Sequence, residues 1–254
     1  SSAELGRELM DMAGNNHKEP LIVVQDVKKS FPLADGGQVN ILKGISFEIS
    51  TGEFVSIVGP SGNGKSTLLN MMTGIDRPSS GDVIVTGQDL NKLSENQLAL
   101  WRRHHVGIIF QFFQMLPPLT LLENVILPMD LAGKYSPKER RERAMYLLDR
   151  VGLAEQADKL PNAVSGGQQQ RAGIARAVAV DPPFIVGDEP TGRLDSKGAE
   201  ICFELFEEWV ADGKTMLMVT HDKALAERVA RKIEIVDGYV NRDEYIGVGD
   251  WAGS

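Results

Sequence analysis

The stretch Gly59-Pro60-Ser61-Gly62-Asn63-Gly64-Lys65-Ser66 fits the pattern G-x-x-x-x-G-K-[ST]. It lies between residues 53–58, which read as a strand, and residues 66–72, which read as a helix stopped by Gly74. A strand before and a helix after are the setting this pattern requires. Glycines let backbone N–H groups turn inward around phosphate oxygens, and the following helix aims its positive end at them. Lys65 then reaches the β- and γ-phosphates as a point charge, Ser66 offers a hydroxyl to Mg2+, and Thr67 adds one near the α-phosphate. The plainer reading is a Gly-rich turn with an exposed lysine, and the flanking strand and helix count against it. Alone, the loop points to a nucleoside triphosphate and no further, since GTPases, small-molecule kinases and many ATPases share it.

Around this loop the 254 residues carry 27 Lys and Arg against 35 Asp and Glu, a net charge of −8. That balance argues against nucleic acid as the main partner, because phosphate backbones need a basic surplus. The 42% of apolar residues can fill the core of one large α/β domain. Cys202 is the single cysteine, which excludes an internal disulfide and a Cys-rich zinc module. His17, His104, His105 and His221 show no metal-ligand spacing. No apolar run approaches the roughly 18–20 residues of a membrane span. Residues 1–16 carry Glu4, Arg7, Glu8 and Asp11 where a signal peptide would be apolar, so a soluble, cytoplasmic chain is expected.

Residues 1–20 read as a flexible polar tail. A first strand is expected to begin at 21–24, and others at 40–49, 53–58 and 82–85. The middle third reads as helical: Ser94 with Gln97 and Ser136 with Glu139 form capping boxes, and Ala144, Leu147, Leu148 and Val151 make an apolar stripe closed by Gly152. The charge run at 138–143 is that helix's solvated face. Beyond Ser165 a helix to 180, a strand at 184–187, a helix at 196–211, a strand at 216–220, a helix at 224–230 and a hairpin turning at Asp237-Gly238 follow in order. Strands alternating with helices imply a mostly parallel sheet covered on both faces, with an antiparallel β subdomain and a helical subdomain attached. For the acidic, aromatic stretch 241–254 only a C-terminal tail is expected.

Two further constellations narrow the function. Phe184-Ile185-Val186-Gly187-Asp188-Glu189 is an apolar strand ending in paired carboxylates: Asp188 suits a Mg2+ shell, and Glu189 suits orienting and deprotonating water. Ser165-Gly166-Gly167-Gln168 opens a helix and makes a second anion-binding N-terminus. One γ-phosphate cannot easily face both helices of a single subunit, which points to nucleotide held between two copies.

With these motifs in order, residues 21–240 resemble the ATP-binding subunits of ABC transporters, an α/β P-loop NTPase fold. The resemblance identifies Gly59 to Ser66 with the Walker A loop, Phe31 with the aromatic that stacks on adenine, Gln111 with the Q-loop glutamine, and Ser165, Gly166, Gly167 and Gln168 with the signature. Asp188 and Glu189 match the Walker B aspartate and catalytic glutamate, Asp195 the D-loop, and His221 the switch histidine. Departures are mild: Phe31 stands where Tyr is frequent, Val164 replaces the signature Leu, and Arg193 precedes the D-loop Leu194. Stretches at 101–111, 116–125 and 188–192 resemble the branch of lipoprotein-release and macrolide-export ATPases.

The resemblance implies a homodimer around two ATP and Mg2+, with hydrolysis driving a separate membrane permease. Catalysis would rest on Glu189, His221, Lys65 and Gln111, the metal on Ser66, Gln111 and Asp188, and coupling between sites on Asp195. A helical subdomain at about 112–165 would face the permease, placing the chain on the inner face of the cell membrane. Export or extraction of a lipoprotein, peptide or drug-like molecule is the leading expectation. One rival is a regulatory ATPase of the same branch that transmits force without transport. Another is a soluble ABC ATPase of DNA repair or translation, against which the acidic charge and the single uninterrupted cassette both count.

Overall fold

The computed structural model describes residues 20–246 except Ser61, Asn63 and Phe113, so residues 1–19 and 247–254 lie outside it. In chain order the first elements are β1 (Pro20–Pro32), β2 (Gln38–Ser50), β3 (Phe54–Val58), α1 (Lys65–Met72), β4 (Ser80–Val85) and β5 (Gln88–Asp89). Next come α2 (Glu95–His105), β6 (Val106–Ile109), α3 (Leu121–Leu131), α4 (Pro137–Arg150) and α5 (Gly166–Ala177). The last are β7 (Phe184–Asp188), α6 (Ser196–Ala211), β8 (Thr215–Val219), α7 (Lys223–Glu227), β9 (Arg231–Val236) and β10 (Tyr239–Tyr245).

Two sheets result. An antiparallel one is ordered β2-β1-β4-β5, and a six-stranded one β10-β9-β3-β8-β7-β6 is parallel except at the β9–β10 hairpin. The central strands β3, β8 and β7 are buried on both faces, and their alternation feeds two cores. Ile185, Met216 and Met218 pack with the helical layer, where Leu122, Val125, Leu148 and Phe206 meet. Val186, Leu217, Val219, Val55 and Ile57 point the other way, onto Leu68 and Met72 of α1 and onto Ile22, Ile45 and Val83 of the antiparallel sheet. A period-two strand thus glues the helices to one side and the β subdomain to the other.

Helix starts follow their caps. Ser94, Ser136 and Ser165 each head a full capping box, with Gln97, Glu139 and Gln168 reaching back to the cap N–H. Ala144, Leu147, Leu148 and Val151 are buried, as the stripe requires, and Cys202 is a fully buried core residue.

The structure also departs from the sequence expectations. The middle third is not wholly helical, because Val106–Ile109 pairs with β7 as the edge strand β6. Strand β1 begins where expected and runs on to Pro32, bulging against β2 between Val24 and Val27. The boundary at 240 also moves: β10 continues to Tyr245, five residues into the expected tail. The buried Arg231 holds it there, donating to both carboxylate oxygens of Asp243 at 2.8 and 2.7 Å, while the Tyr245 hydroxyl donates to Glu53 at 2.7 Å.

Candidate active site

Strands β3, β8 and β7 run parallel in adjacent positions, with Ile57 beside Val219 and Val219 beside Asp188. The segments that leave their carboxyl ends therefore emerge together, the usual site of ligand binding in such sheets. These segments are the loop after Val58, the pair Asp188-Glu189 and the pair Thr220-His221. A cleft of 360 Å3 collects them. Lys65, Ser66 and Thr67 from the start of α1 line it together with Gly62 and Gly64, facing Asp188, Glu189 and His221. Phe31 and Gln111 close its sides. A larger cavity of 530 Å3 on the other side of Gly59 shares His221 but contains neither Lys65 nor a carboxylate of β7.

The loop's geometry depends on two glycines. Gly59 has φ 144°, and a Cβ there would stand 2.1 Å from the Ile235 carbonyl oxygen. Gly64, the residue capping α1, has φ 88°, and a Cβ would meet the Leu42 side chain at 2.6 Å. Only glycine fits both the backbone and the space. The Lys65 side chain is buried by the loop itself and donates to the carbonyls of Gly59 at 2.8 Å and Pro60 at 2.6 Å. Burial lowers its pKa, partly offset by the negative charges of Glu189 and Asp188. Ser66 donates its hydroxyl to Asp188 Oδ2 at 2.9 Å, so the loop and β7 meet in one hydrogen bond.

Glu189 adopts φ 47°, a left-handed conformation uncommon for a residue with a side chain. Its N–H donates to the Val219 carbonyl at 2.8 Å, which fixes the turn. Oε1 accepts from the His221 backbone N–H at 2.6 Å, and Oε2 accepts from the Thr220 hydroxyl at 3.3 Å. His221 Nε2 lies 3.5 Å from Oε1. Burial raises the Glu189 pKa above the ordinary carboxylate value, against the lowering effect of these donors. The result is a partly desolvated carboxylate with a fixed aim, suited to taking a proton.

Of the expected site residues, Phe31, Gly62, Gly64, Lys65, Ser66, Thr67, Gln111, Asp188, Glu189 and His221 share the cleft, whereas Gly59 lines the larger cavity beside it. Ser61 and Asn63 lie outside the described residues. Ser165, Gly166, Gly167, Gln168 and Asp195 do not line the cleft. Ser165 and Gln168 cap α5 with exposed N-terminal residues Ser165 and Gly166, and Asp195 caps α6 by accepting from Gly198 N–H at 2.8 Å. Two supporting residues had no role in the sequence reading. Thr220 orients Glu189, and the buried Gln170 amide donates to the carbonyls of Pro190 at 2.8 Å and Phe110 at 3.4 Å. Gln170 thereby ties the segment after Glu189 to the segment before Gln111.

The family model described as "ABC transporter" matches residues 42–192. The chain is 43% identical over 227 residues to the lipoprotein-releasing system ATP-binding protein LolD 1 of Chlorobium chlorochromatii, covering 89% of this chain and 92% of that protein. It is equally 43% identical to the macrolide export ATP-binding/permease protein MacB of Agrobacterium fabrum, of which it spans 35%. In structure it superimposes with a TM-score of 0.85 on the dimeric post-hydrolysis state of the ATP-binding cassette MJ0796 bound to ADP and Pi, at 41% identity over 89% of this chain and 98% of that one. Among the described residues no helix is long and apolar enough to cross a membrane.

Proposed function

The chain belongs to the ABC transporter family, and on that footing we propose that two copies clamp two ATP molecules and hydrolyse them to drive a separate membrane permease. The ATPase activity is that of the family.

Each ATP would lie with its adenine on Phe31 and its phosphates against the loop and the N-terminus of α1. Lys65 would exchange its two carbonyl acceptors for β- and γ-phosphate oxygens. Ser66 and Asp188 supply a hydroxyl and a carboxylate 2.9 Å apart, hard oxygen donors of the kind that hold Mg2+ alongside phosphate oxygens. An ion held by Ser66 and Asp188 would supply positive charge beside the β- and γ-phosphates. Glu189 accepts a proton from the attacking water as the water oxygen bonds to the γ-phosphorus and the bond between that phosphorus and the ADP oxygen breaks. His221 and Gln111 orient that water and the γ-phosphate. The single observation that carries the reading is the meeting of Lys65, Ser66, Asp188, Glu189 and His221 in one cleft that lacks the Ser165–Gly167 helix start. A second copy, related by a two-fold axis, would supply that helix start to each cleft.

The relatives named for lipoprotein release and macrolide export support export or extraction of a lipoprotein, peptide or drug-like substrate, with the chain held at the inner face of the membrane by its permease. The test is complementation. Lys65→Ala and Ser165→Arg copies should each be inactive alone. Mixed, they form dimers with one intact shared site and recover up to about a quarter of wild-type hydrolysis, by random pairing. No recovery at any mixing ratio overturns the shared-site reading.

A further inference from the structure

Helix α7 begins two residues after His221 and is only five residues long, too short to hold its place by itself. Its apolar anchors are the buried Ala226, the partly buried Leu225 and Val229 just past its end. Both ends carry polar ties. At the start Asp222 caps the helix, accepting from the Ala224 N–H at 2.9 Å and the Leu225 N–H at 3.2 Å. The Asp222 N–H donates at 3.0 Å to the Thr220 hydroxyl, which itself donates to Oε2 of Glu189. At the far end stands Arg228. Its Nη1 donates to both carboxylate oxygens of Glu200 at 2.9 and 2.7 Å, and its Nη2 to both oxygens of Glu207 at 3.3 Å. Its guanidinium carbon lies 4.3 Å from the centroid of the Phe203 ring. These three partners share one face of α6 by helical spacing. Phe203 is fully buried and stacks on Phe54 of β3, so α6 is a fixed body. A solitary surface ion pair contributes little. Arg228, with its side chain 34% exposed, instead spans two carboxylates and a buried ring, which takes the planar fork of a guanidinium.

We propose that Arg228 is a positioning residue for ATP hydrolysis: by clamping the end of α7 to α6 it holds Thr220 and His221 where their hydroxyl and N–H fix the Glu189 carboxylate. This role rests on the reading of Glu189 as base and extends it to a residue that does not line the cleft. The contacts are continuous. Arg228 holds α7, Asp222 joins α7 to Thr220, and the Thr220 hydroxyl and His221 N–H hold the two oxygens of Glu189. Without the clamp α7 keeps only its few apolar anchors, and a small displacement at its start misdirects the carboxylate from the water. Phe31, Lys65 and Ser66, which would hold ATP, stand on β1 and α1, so binding and turnover separate. Both donors also favour the ionised carboxylate, so loosening them raises the Glu189 pKa further. The other charged groups facing Glu189 are Lys65, Asp188 and His221, none of them altered by a change at Arg228.

The test is steady-state ATP hydrolysis by the full chain carrying Arg228→Met, which keeps the aliphatic length and removes the fork. Its kcat should fall about 10-fold while KM for ATP stays within about twofold of wild type. The acid limb of its kcat/KM profile should move to higher pH. Arg228→Lys, which holds one carboxylate at a time, should recover part of kcat. Glu200→Gln with Glu207→Gln keeps acceptors and packing while removing the charge, and should move kcat and the acid limb the same way by less. Wild-type kcat in Arg228→Met, or a lowered kcat with an unmoved acid limb, overturns the proposal. Should Arg228→Met fail to fold, wild-type kcat and acid limb in the double glutamine variant overturn it instead. Glu189→Gln separates the two readings. Near-normal hydrolysis there removes the base itself, whereas lost hydrolysis there beside a wild-type Arg228→Met removes the clamp alone.

Discussion

The backbone N–H of His221 donates to Oε1 of Glu189 at 2.6 Å, and the His221 Nε2 lies 3.5 Å from the same oxygen. The aim of the carboxylate is thus set by the segment leaving β8, not by its own strand, and any shift of that segment moves the base.

Because an amide oxygen also accepts from the His221 N–H, Glu189→Gln should keep the local structure and lose only the proton acceptor. Turnover should fall roughly 10²–10⁴-fold, the usual weight of a general base. ATP binding should persist, and an ATP-loaded dimer should accumulate on size exclusion. Near-normal hydrolysis would remove Glu189 from the chemistry.

The pH dependence follows from two burial effects of opposite sense. Glu189 must be ionised to act, and its pKa is raised above the ordinary 4.5, so activity is lost as pH falls through that raised value. Lys65 must be protonated, and its pKa is lowered below the ordinary 10.5, so activity is lost as pH rises through that lowered value. The profile of kcat/KM, which reports the free protein, should be a bell narrower than unperturbed groups would give. ATP's own ionisation is common to all variants. Glu189→Asp, with its lower intrinsic pKa, should move the acid limb down. An acid limb identical in the two proteins would assign it to another group.

Gly59→Ala tests the loop itself. At φ 144° with the Ile235 carbonyl 2.1 Å from the new Cβ, the loop or β9 must shift. A cost of about 1–3 kcal/mol is expected in denaturant unfolding, from strain and overpacking together. ATP affinity should fall with it, since the N–H groups after Gly59 lose their register. Unchanged stability would mean that the loop relaxes freely.

Much of this was legible in the sequence because it is local. A capping box spans four residues, and a phosphate loop announces itself by glycines between a strand and a helix. Strand β6 escaped because Val106–Ile109 follows directly on α2, and four residues, one of them Gly107, carry no period of their own. The second half of β1 was hidden by its bulges, and the extent of β10 by tertiary clamps from Arg231 and Glu53. Gln170 gave no signal at all. A glutamine within a helix looks like any other, and its acceptors at Phe110 and Pro190 are distant in sequence.

That residue supports a fourth prediction. Gln170→Ala strips two carbonyls of their donor at a buried site, at a cost of about 1–3 kcal/mol for each group left unsatisfied. Gln170→Glu should be worse, because a buried carboxylate would face the same two oxygens. Thermal unfolding checks the stability, and kcat should fall as well, since Pro190 follows Glu189 directly. A stable Gln170→Ala with normal kcat would reduce the bridge to incidental packing.

The Arg193 guanidinium lies 4.7 Å from the centroid of the Phe112 ring. Arg193 precedes Leu194 and Asp195, and Phe112 follows Gln111, so the contact joins the loop reaching the nucleotide to the loop expected at the face between copies. Its free energy is about 0.5–1 kcal/mol for an exposed cation–π pair, too little to matter for folding but enough to change a rate roughly 2–5-fold. Arg193→Ala and Phe112→Leu should each lower kcat by about that factor with unfolding midpoints nearly unchanged. If the two residues act through one another, the double variant should be no slower than either single one. Multiplicative losses would show that each acts alone, and the link between the two loops would then have to run through Gln170 instead.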